Sequence, residues 1–426
     1  MKIPVEEYRL ENGLRIVLSE DHRQPVVAVN LWYDVGSRNE RPGRTGFAHL
    51  FEHMLFQGSE HVPDTEHIAH VERVGGSMNG STWLDRTNYF ETVPASHLEM
   101  ALWLESDRMG FLLPAMTQEK LDNQRSVVKN ERRWRVDNQP YGDWDERLQA
   151  LLFPPDHPYH HSVIGSMADL DAATLEDVSQ FFRTYYAPNN AVLTICGDFD
   201  PAAARELVER YFGGIPSGPA VPPLPGQTAL PAKLGGEIRE EVEGEVALPR
   251  VYLGFRIPPY GTEEFYAADV TSHLLASGKS SRLYRALVRE ERLAQSVVGF
   301  AFPVVTGASM LVLWATANPG VELDRLESAL WEQIEALTSE VSAAEVERVV
   351  TGIEAEQIMS LQQVGERADQ LSMFATLFDD PDRINTELDS YRDVTAADVS
   401  RFALEYLRRD NAVVLSYRAR ARSEAA

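Results

Sequence analysis

An internal repeat constrains the fold of this chain more than any other feature of its sequence. The run "TLEDVSQFFRTYYAPNNAV" from Thr174 aligns with "TAADVSRFALEYLRRDNAV" from Thr395, with nine identical residues at a shift of 221 positions. Nearer the start of each copy, "AHLFEHMLFQG" aligns with "ADVTSHLLASG" at a shift of 220 positions. Self-similarity at a fixed shift indicates a duplicated structural unit. We therefore expect two domains of one fold, which agrees with a length of 426 residues.

A proline-rich segment marks the boundary between the two copies. It has six prolines between Pro216 and Pro231 and no apolar periodicity, which is typical of an extended linker. In each copy, segments with the alternation of strands occur among segments with the periodicity of helices. The sequence predicts an α+β fold with two homologous α/β-sandwich domains, at residues 1–215 and 234–426, joined by a linker at 216–233.

Composition argues against several classes of function. The formal net charge of −25 disfavours binding to nucleic acid or to an anionic membrane surface. No run approaches the roughly 18 consecutive apolar residues of a membrane span. The first residues lack a basic stretch followed by an apolar one, so we expect a cytoplasmic location, although a removed signal peptide would leave a similar start. The single cysteine, Cys196, lies in an apolar run and is expected to be a buried core thiol.

The first copy contains an H-x-x-E-H motif, formed by His49, Glu52 and His53, in a helix predicted to begin at Thr45 and end before Gly58. Residues four apart share one face of a helix, so the two histidines can offer two nitrogen ligands to zinc. The glutamate can reach a zinc-bound water without binding the metal, as in inverted zincins. Ordinary polar residues at a helix edge are the alternative. Because burying an unpaired carboxylate is costly, the apolar surroundings favour a metal site.

The second copy keeps only the last histidine of the motif, as His273, because Asp269 and Ser272 occupy the other two positions. We therefore expect one zinc ion per chain, held by the first copy. An open catalytic site needs a third protein ligand, which we expect to be an Asp, Glu or His on a later helix. Another group of histidines is expected to pack in a loop rather than bind metal: His157, His160 and His161.

Runs along nearly the whole chain are similar to those of one protein family: "NGLRIVL", "VGSRNERPGRTGFAHLFEHMLFQGS", "GGSMNGSTWLDRTNYFETVP", "VVKNERR", "HPYHHSVIG" and "SGKSSRLYRALVREERLAQSV". They resemble the pitrilysin/insulinase family of zinc metallopeptidases, and within it the branch of the mitochondrial processing peptidases. The resemblance implies that His49, His53 and Glu131 bind zinc and that Glu52 is the general base. Taken alone, Glu131 would be read as a solvent-exposed glutamate.

The resemblance also has implications for substrate binding. It implies that the two domains face each other like a clamshell across a closed chamber. It further implies that Asn79, with Gly80 and Ser81, binds the peptide backbone, and that the following strand offers its edge to the substrate. An ordinary asparagine at a strand turn is an equally good explanation of that residue type.

The chain departs from the family pattern at three positions. Gln124 stands where family members often have a second glutamate, seven residues before the zinc glutamate. Complete single-chain enzymes also carry an Arg and, seven residues later, a Tyr that help to polarise the scissile carbonyl. Here Val288 and Gln295 occupy those positions, and Arg289 is one place out of register. We therefore expect this chain to be the zinc subunit of a heterodimer whose homologous partner carries the Arg/Tyr pair.

The function that these features favour is a zinc-dependent endopeptidase that acts on peptides or unfolded segments. Glu52 would take a proton from the attacking water and later transfer it to the leaving amine. One alternative is a peptidase that is active as a homodimer or monomer with Gln295 or Arg289 in place of the pair. Another is a non-catalytic structural subunit of a larger complex, although such subunits tend to lose the zinc residues. A zinc hydrolase with a different type of substrate is a weaker alternative.

Overall fold

The computed structural model describes residues 2–420, which form two compact units. The first unit contains the residues up to 132 together with 161–225 and 356–387. The second unit contains 133–160, 226–355 and the residues from 388 onward. Each unit has one β-sheet covered by helices, so the predicted α+β fold class is confirmed. None of the helices within residues 2–420 is long and apolar enough to cross a membrane.

The sheet of the first unit has six strands: β1 (Glu6–Arg9), β2 (Arg15–Glu20), β3 (Val26–Tyr33), β4 (Ser77–Thr82), β5 (Thr87–Pro94) and β6 (Ala191–Gly197). Their spatial order is β1-β2-β6-β3-β5-β4, with β2 and β6 parallel and the other neighbours antiparallel. The sheet of the second unit has five strands: β7 (Ile238–Gly244), β8 (Arg250–Ile257), β9 (Ala294–Ala301), β10 (Ser309–Ala317) and β11 (Ala412–Ala419). Their order is β7-β11-β8-β10-β9, with only β7 and β11 parallel.

The described residues contain fourteen α-helices: α1 (Phe47–Met54), α2 (Glu66–Arg73), α3 (Leu98–Phe111), α4 (Gln118–Arg132), α5 (Trp144–Leu152), α6 (Met167–Ala172), α7 (Leu175–Tyr185), α8 (Pro201–Phe212), α9 (Glu263–Ala276), α10 (Leu323–Ala336), α11 (Ala343–Ser360), α12 (Val364–Phe378), α13 (Glu387–Arg392) and α14 (Ala396–Tyr406). Two π-helical turns follow α4 and α9, at Arg133–Asp137 and Tyr284–Glu290. The predicted linker, residues 216–233, contains neither helix nor strand.

The duplication is visible in the topology of the two sheets. The order β2-β6-β3-β5-β4 in the first unit corresponds strand by strand to β7-β11-β8-β10-β9 in the second, with the same pattern of parallel and antiparallel pairs. Helices α7 and α14 begin with the same capping box, formed by a Thr and an Asp three residues later. The amide of Asn190 donates to Tyr185 O and that of Asn411 donates to Tyr406 O, both over 2.8 Å. The repeat at a shift of 221 residues therefore reflects shared local contacts as well as shared residues.

The compact units are discontinuous, which differs from the contiguous division predicted at residues 1–215 and 234–426. Helix α12 lies in the second half of the sequence but packs on β3 and β6 of the first sheet. Helix α5 lies in the first half but packs on β8 and β11 of the second sheet. The sequence repeat could not reveal this exchange because it depends on tertiary contacts rather than on local pattern.

The side chains of β3 alternate between the two faces of the sheet, and α12 covers the face opposite the main core. Val27, Val29, Leu31 and Tyr33 point into the main apolar core of the first unit, to which α1 and α4 also contribute. The intervening side chains, which include Ala28, point to the opposite face and meet α12. There Asp369 accepts hydrogen bonds from the side-chain amides of Asn30 (3.2 Å) and Asn88 (2.9 Å). Cys196 lies on the same face, is fully buried, and burial raises its pKa to about 11, as expected for a core thiol.

Candidate metal centre

Two helices of the first unit carry the candidate metal ligands. The short helix α1 bears His49 and His53, which lie one turn apart on the same face because they are four residues apart. Glu131 is the penultimate residue of α4, on the face that also carries the buried Gln124 and Val128. Helices α1 and α4 pack against each other, so the two sets of side chains converge.

The three side chains form the group of possible metal ligands found within residues 2–420. Glu131 Oε2 lies 3.5 Å from His49 Nε2 and 3.2 Å from His53 Nε2, and all three ligand atoms lie within 4.8 Å of one another. Ligand atoms at zinc bond lengths of about 2.0–2.1 Å in a tetrahedron are roughly 3.3–3.4 Å apart. The separations and the two-histidine, one-carboxylate donor set therefore fit zinc with a fourth position left for water or substrate.

The environment of the centre is partly enclosed. His49 is buried, whereas the side chains of His53 and Glu131 are 23% and 20% exposed. The two imidazole rings are 4.9 Å apart and nearly perpendicular. The apolar core of the first unit lies beneath them, and Phe47, Leu50, Phe51 and Met54 of α1 all belong to it. One side of the centre therefore faces a rigid core and the other is accessible.

Glu52 lies beside the ligands without belonging to their group. Its Oε2 accepts a hydrogen bond of 2.6 Å from the hydroxyl of Thr82, at the end of β4. Burial raises the pKa of Glu52, while the hydrogen bond from Thr82 and the charge of His53 act in the opposite direction. A half-buried carboxylate with one oxygen held by a hydroxyl has a fixed orientation, which suits a group that transfers protons.

The start of α1 differs from the prediction. The N-cap is Gly46, with φ of 84°, rather than Thr45, whose hydroxyl binds Asp169 instead. A side chain from outside the helix takes the capping role: Glu40 accepts the N–H of Gly46 over 2.8 Å and that of Ala48 over 2.7 Å. Burial raises the pKa of Glu40 well above its usual range, although these N–H donors lower it. The end of α1 also differs from the prediction: the helix ends at Met54 with Leu55 as its C-cap, and Gly58, with φ of 83°, lies four residues beyond Met54.

The predicted substrate-binding residues lie on an edge strand. Asn79, Gly80 and Ser81 are inside β4, which pairs with β5 alone and ends the first sheet. The side chain of Asn79 is exposed, and its Oδ1 accepts the N–H of Gly80 over 2.9 Å. A Cβ on Gly80 would lie 3.1 Å from a ring carbon of Phe56, so a larger residue there would require that ring to shift by a few tenths of an ångström. Thr82, which donates to Glu52, is on the same strand, so these residues lie near the proposed general base.

The aligned position in the second unit has different contacts. His273 Nε2 lies 3.9 Å from Asp269 Oδ1, and Asp269 Oδ2 accepts the hydroxyl of Tyr391 over 3.0 Å. In the second unit a hydrogen bond between Asp269 and a tyrosine takes the place of the ligand arrangement of the first unit.

The three loop histidines have separate partners. The ring of His157 stacks on Phe153, His160 Nδ1 lies 2.8 Å from Phe153 O, and His161 Nδ1 lies 3.6 Å from Glu40 Oε2.

The positions that replace the Arg/Tyr pair are in the second unit. Val288 and Arg289 belong to the π-helical turn Tyr284–Glu290, where Val288 is half-buried and Arg289 is exposed. Gln295 is exposed near the start of β9, the terminal strand of its sheet.

Two residues that shape the centre are not evident from the sequence. Glu40 was part of the run "SRNERPGR", which reads as a polar loop, and Thr82 was one of several threonines in a strand-like run. A carboxylate shortly before a helix is a weak signal for a charge that stabilises the helix N-terminus. For Thr82 no such signal exists, because its contact with Glu52 depends on how β4 packs on α1.

The sequence is similar to those of known peptidases. Residues 15–151 match the family described as "Insulinase (Peptidase family M16)", and residues 172–353 match "Peptidase M16 inactive domain". The zinc protease PqqE of Helicobacter pylori is 30% identical over 95% of this chain and 90% of its own length. An uncharacterized zinc protease of Bacillus subtilis, YmxG, is 24% identical over 85% of this chain and 86% of its own length.

Two solved structures share the fold of this chain over nearly its whole length. The crystal structure of a protease from Helicobacter pylori has a TM-score of 0.91 and 29% identity, covering 98% of this chain and all of that one. A peptidase M16 inactive domain from Pseudomonas fluorescens has the same fold, with a TM-score of 0.84 and 18% identity over 98% of both chains. All three candidate ligands and Glu52 lie in the part that matches the insulinase description. By its two family matches and its 30% identity to a zinc protease over nearly the whole length, this chain belongs to the insulinase family of peptidases, M16.

Proposed function

We propose that this chain is a zinc-dependent endopeptidase of the mitochondrial-processing-peptidase-like branch, which hydrolyses peptides or unfolded segments. The observation that carries the proposal is the convergence of His49, His53 and Glu131 at separations suited to one tetrahedral metal ion. These residues would hold the zinc through two imidazole nitrogens and one carboxylate oxygen. When bound, zinc supplies a Lewis acid that lowers the pKa of a coordinated water to about 7.

Glu52 provides the proton transfer. Its Oε2 is held by Thr82, so Oε1 is the oxygen that accepts the proton of the attacking water and then returns it to the leaving amine. The edge of β4 offers backbone groups to an extended peptide, which would bind as an added strand with Asn79, Gly80 and Ser81 beside it. A bound strand next to Glu52 would place a peptide carbonyl near the metal ligands. A closed chamber between the two domains would restrict access to flexible chains.

We further propose that the chain acts as the zinc subunit of a heterodimer. Val288 and Gln295 cannot supply the cationic and phenolic groups that polarise the scissile carbonyl in single-chain relatives. A homologous partner that carries an Arg/Tyr pair would complete the site. A homodimer that uses Gln295 or Arg289 is the rival arrangement, and a non-catalytic structural subunit is the rival function.

The test is hydrolysis of a library of quenched-fluorescent peptides by the purified, zinc-loaded chain. We expect bound zinc with little or no hydrolysis by the chain alone, and hydrolysis after co-expression with a homologous Arg/Tyr subunit. Full activity of the chain alone would disprove the heterodimer but not the peptidase. Bound zinc without activity in either preparation would favour the structural subunit, and no bound zinc would contradict the proposal as a whole.

Thr82→Val should lower kcat about 3- to 10-fold with little change in KM, because one hydrogen bond to Glu52 is lost while the side-chain volume is kept. The measurement is steady-state hydrolysis of one peptide by the active assembly. Thr82→Ser keeps the hydroxyl and should remain close to the wild-type rate. Equal rates for Thr82→Val and wild type would mean that this hydrogen bond does not orient the general base.

A further inference from the structure

One segment of the first unit contacts both helices that carry the candidate ligands. Residues 161–173, here called the brace, run from the loop after His160 through α6 to the start of α7. Its first five residues, 161–165, end the run "HPYHHSVIG" of the family resemblance, and the sequence does not indicate that they contribute to the metal centre. The contacts of the brace with α1 and α4 suggest such a role.

The brace holds the start of α1. Asp169 Oδ2 accepts both the backbone N–H of Thr45, over 2.9 Å, and its hydroxyl, over 2.6 Å. The N–H of Ser166 donates in turn to Thr45 Oγ1 over 3.1 Å. Gly165, with φ of 70°, lies so close to Gly46 that any Cβ on Gly165 would collide with the backbone of Gly46. The two segments of the chain therefore touch through their backbones three residues before His49.

Glu40 completes the attachment of α1 at the same end. Its side chain is fully buried, and its two oxygens accept the N–H groups of Gly46 and Ala48. His161, the first residue of the brace, lies 3.6 Å from Glu40 Oε2. The N-terminus of α1 is thus fixed by two carboxylates, one from the brace and one beside it.

The brace also holds the last two turns of α4. Arg125 donates to the carbonyls of Leu170 (2.8 Å) and Ala173 (2.7 Å), and Lys129 Nζ lies 2.7 Å from Asp171 Oδ1. Arg132, which directly follows Glu131, donates to Gly165 O over 2.9 Å. Gly165 therefore contacts the helix of the two histidines through its backbone and the residue next to Glu131 through its carbonyl.

We propose that the brace and Glu40 set the distance between the histidine pair on α1 and Glu131 on α4, so that Asp169 and Glu40 are positioning residues of the metal centre. The inference rests on the proposed function, since it concerns the same zinc site. A centre whose ligands come from two helices is precise only if the helices keep their separation, and outer contacts of this kind govern metal affinity.

The test is the zinc affinity of the full chain, measured by competition with a chromogenic chelator for wild type, Asp169→Ala and Glu40→Gln. The matched control is Asp398→Ala in the second unit, because Asp398 Oδ2 accepts the N–H and hydroxyl of Thr395 over the same 2.9 and 2.6 Å. We expect Asp169→Ala and Glu40→Gln to raise the Kd for zinc about 10-fold, whereas Asp398→Ala should leave it within about 2-fold. The absorption spectrum of bound Co²⁺ should change in the first two variants only.

The outcomes separate this inference from the proposed function. If wild type binds no zinc, the proposed function fails and the brace has nothing to position. If wild type binds zinc and the Asp169 and Glu40 variants match Asp398→Ala in affinity and Co²⁺ spectrum, the positioning role is overturned. Should Glu40→Gln not fold, Asp169→Ala still decides the question, because Asp169 is only half-buried.

Discussion

Glu52→Gln is expected to lower kcat for peptide hydrolysis by a factor of about 10²–10⁴, which is the usual contribution of a positioned general acid–base group. The amide cannot accept the proton of the attacking water, yet it keeps the size of the side chain and can still accept the hydroxyl of Thr82. Zinc content should not change, since Glu52 is outside the group of ligands. The measurements are hydrolysis by the active assembly, with the partner subunit if the chain alone is inactive, and zinc per chain by mass spectrometry.

Glu72→Gln is the matched control for this experiment. Glu72 lies on α2 in the same unit, is exposed, and its replacement changes the charge in the same way. It should retain full activity and zinc. If Glu52→Gln hydrolysed peptides at the wild-type rate, another group would have to transfer the proton and the assigned role of Glu52 would be wrong.

Local pattern predicted much of the fold and most of the centre. Alternation and β-branched residues indicated strands such as β3, and the repeat implied that the two units share a topology, which the order of their sheets confirms. The positions of His49 and His53 on one helix face followed from their spacing alone. Glu131, which gained its role only from the family resemblance, lies next to them in the structure.

The parts that sequence could not predict depend on long-range packing. Helix α5 packs on the second sheet and α12 on the first, although each lies in the other half of the sequence. The residue pattern of a helix shows which of its faces is apolar, but not which sheet that face will contact. Thr45 was the expected N-cap by residue type, but Gly46 can adopt the positive φ that the close approach of Gly165 requires, and Glu40 supplies the capping oxygens. In each case a tertiary contact overrides the local preference.

The candidate ligands make a second strong prediction. Glu131→Gln should weaken zinc binding by at least about 100-fold, because it removes a charged ligand from a site with only three protein ligands. Glu119→Gln, an exposed position in the first turn of the same helix, should bind one zinc per chain like wild type. Dialysis against a chelator followed by metal analysis measures both, and retention of zinc by Glu131→Gln would show that the third ligand lies elsewhere.

The same measurement tests whether the second copy has lost its metal. His273→Ala should keep one zinc per chain, because His273 is near a single carboxylate that already accepts the hydroxyl of Tyr391. His53→Ala, at the aligned position of the first copy, should lose it. A drop in zinc content in both variants would mean that each unit contributes to metal binding. Loss in His53→Ala alone would confine the metal to the first unit, so that the second copy serves the reaction through its fold and its surfaces rather than through a metal ion.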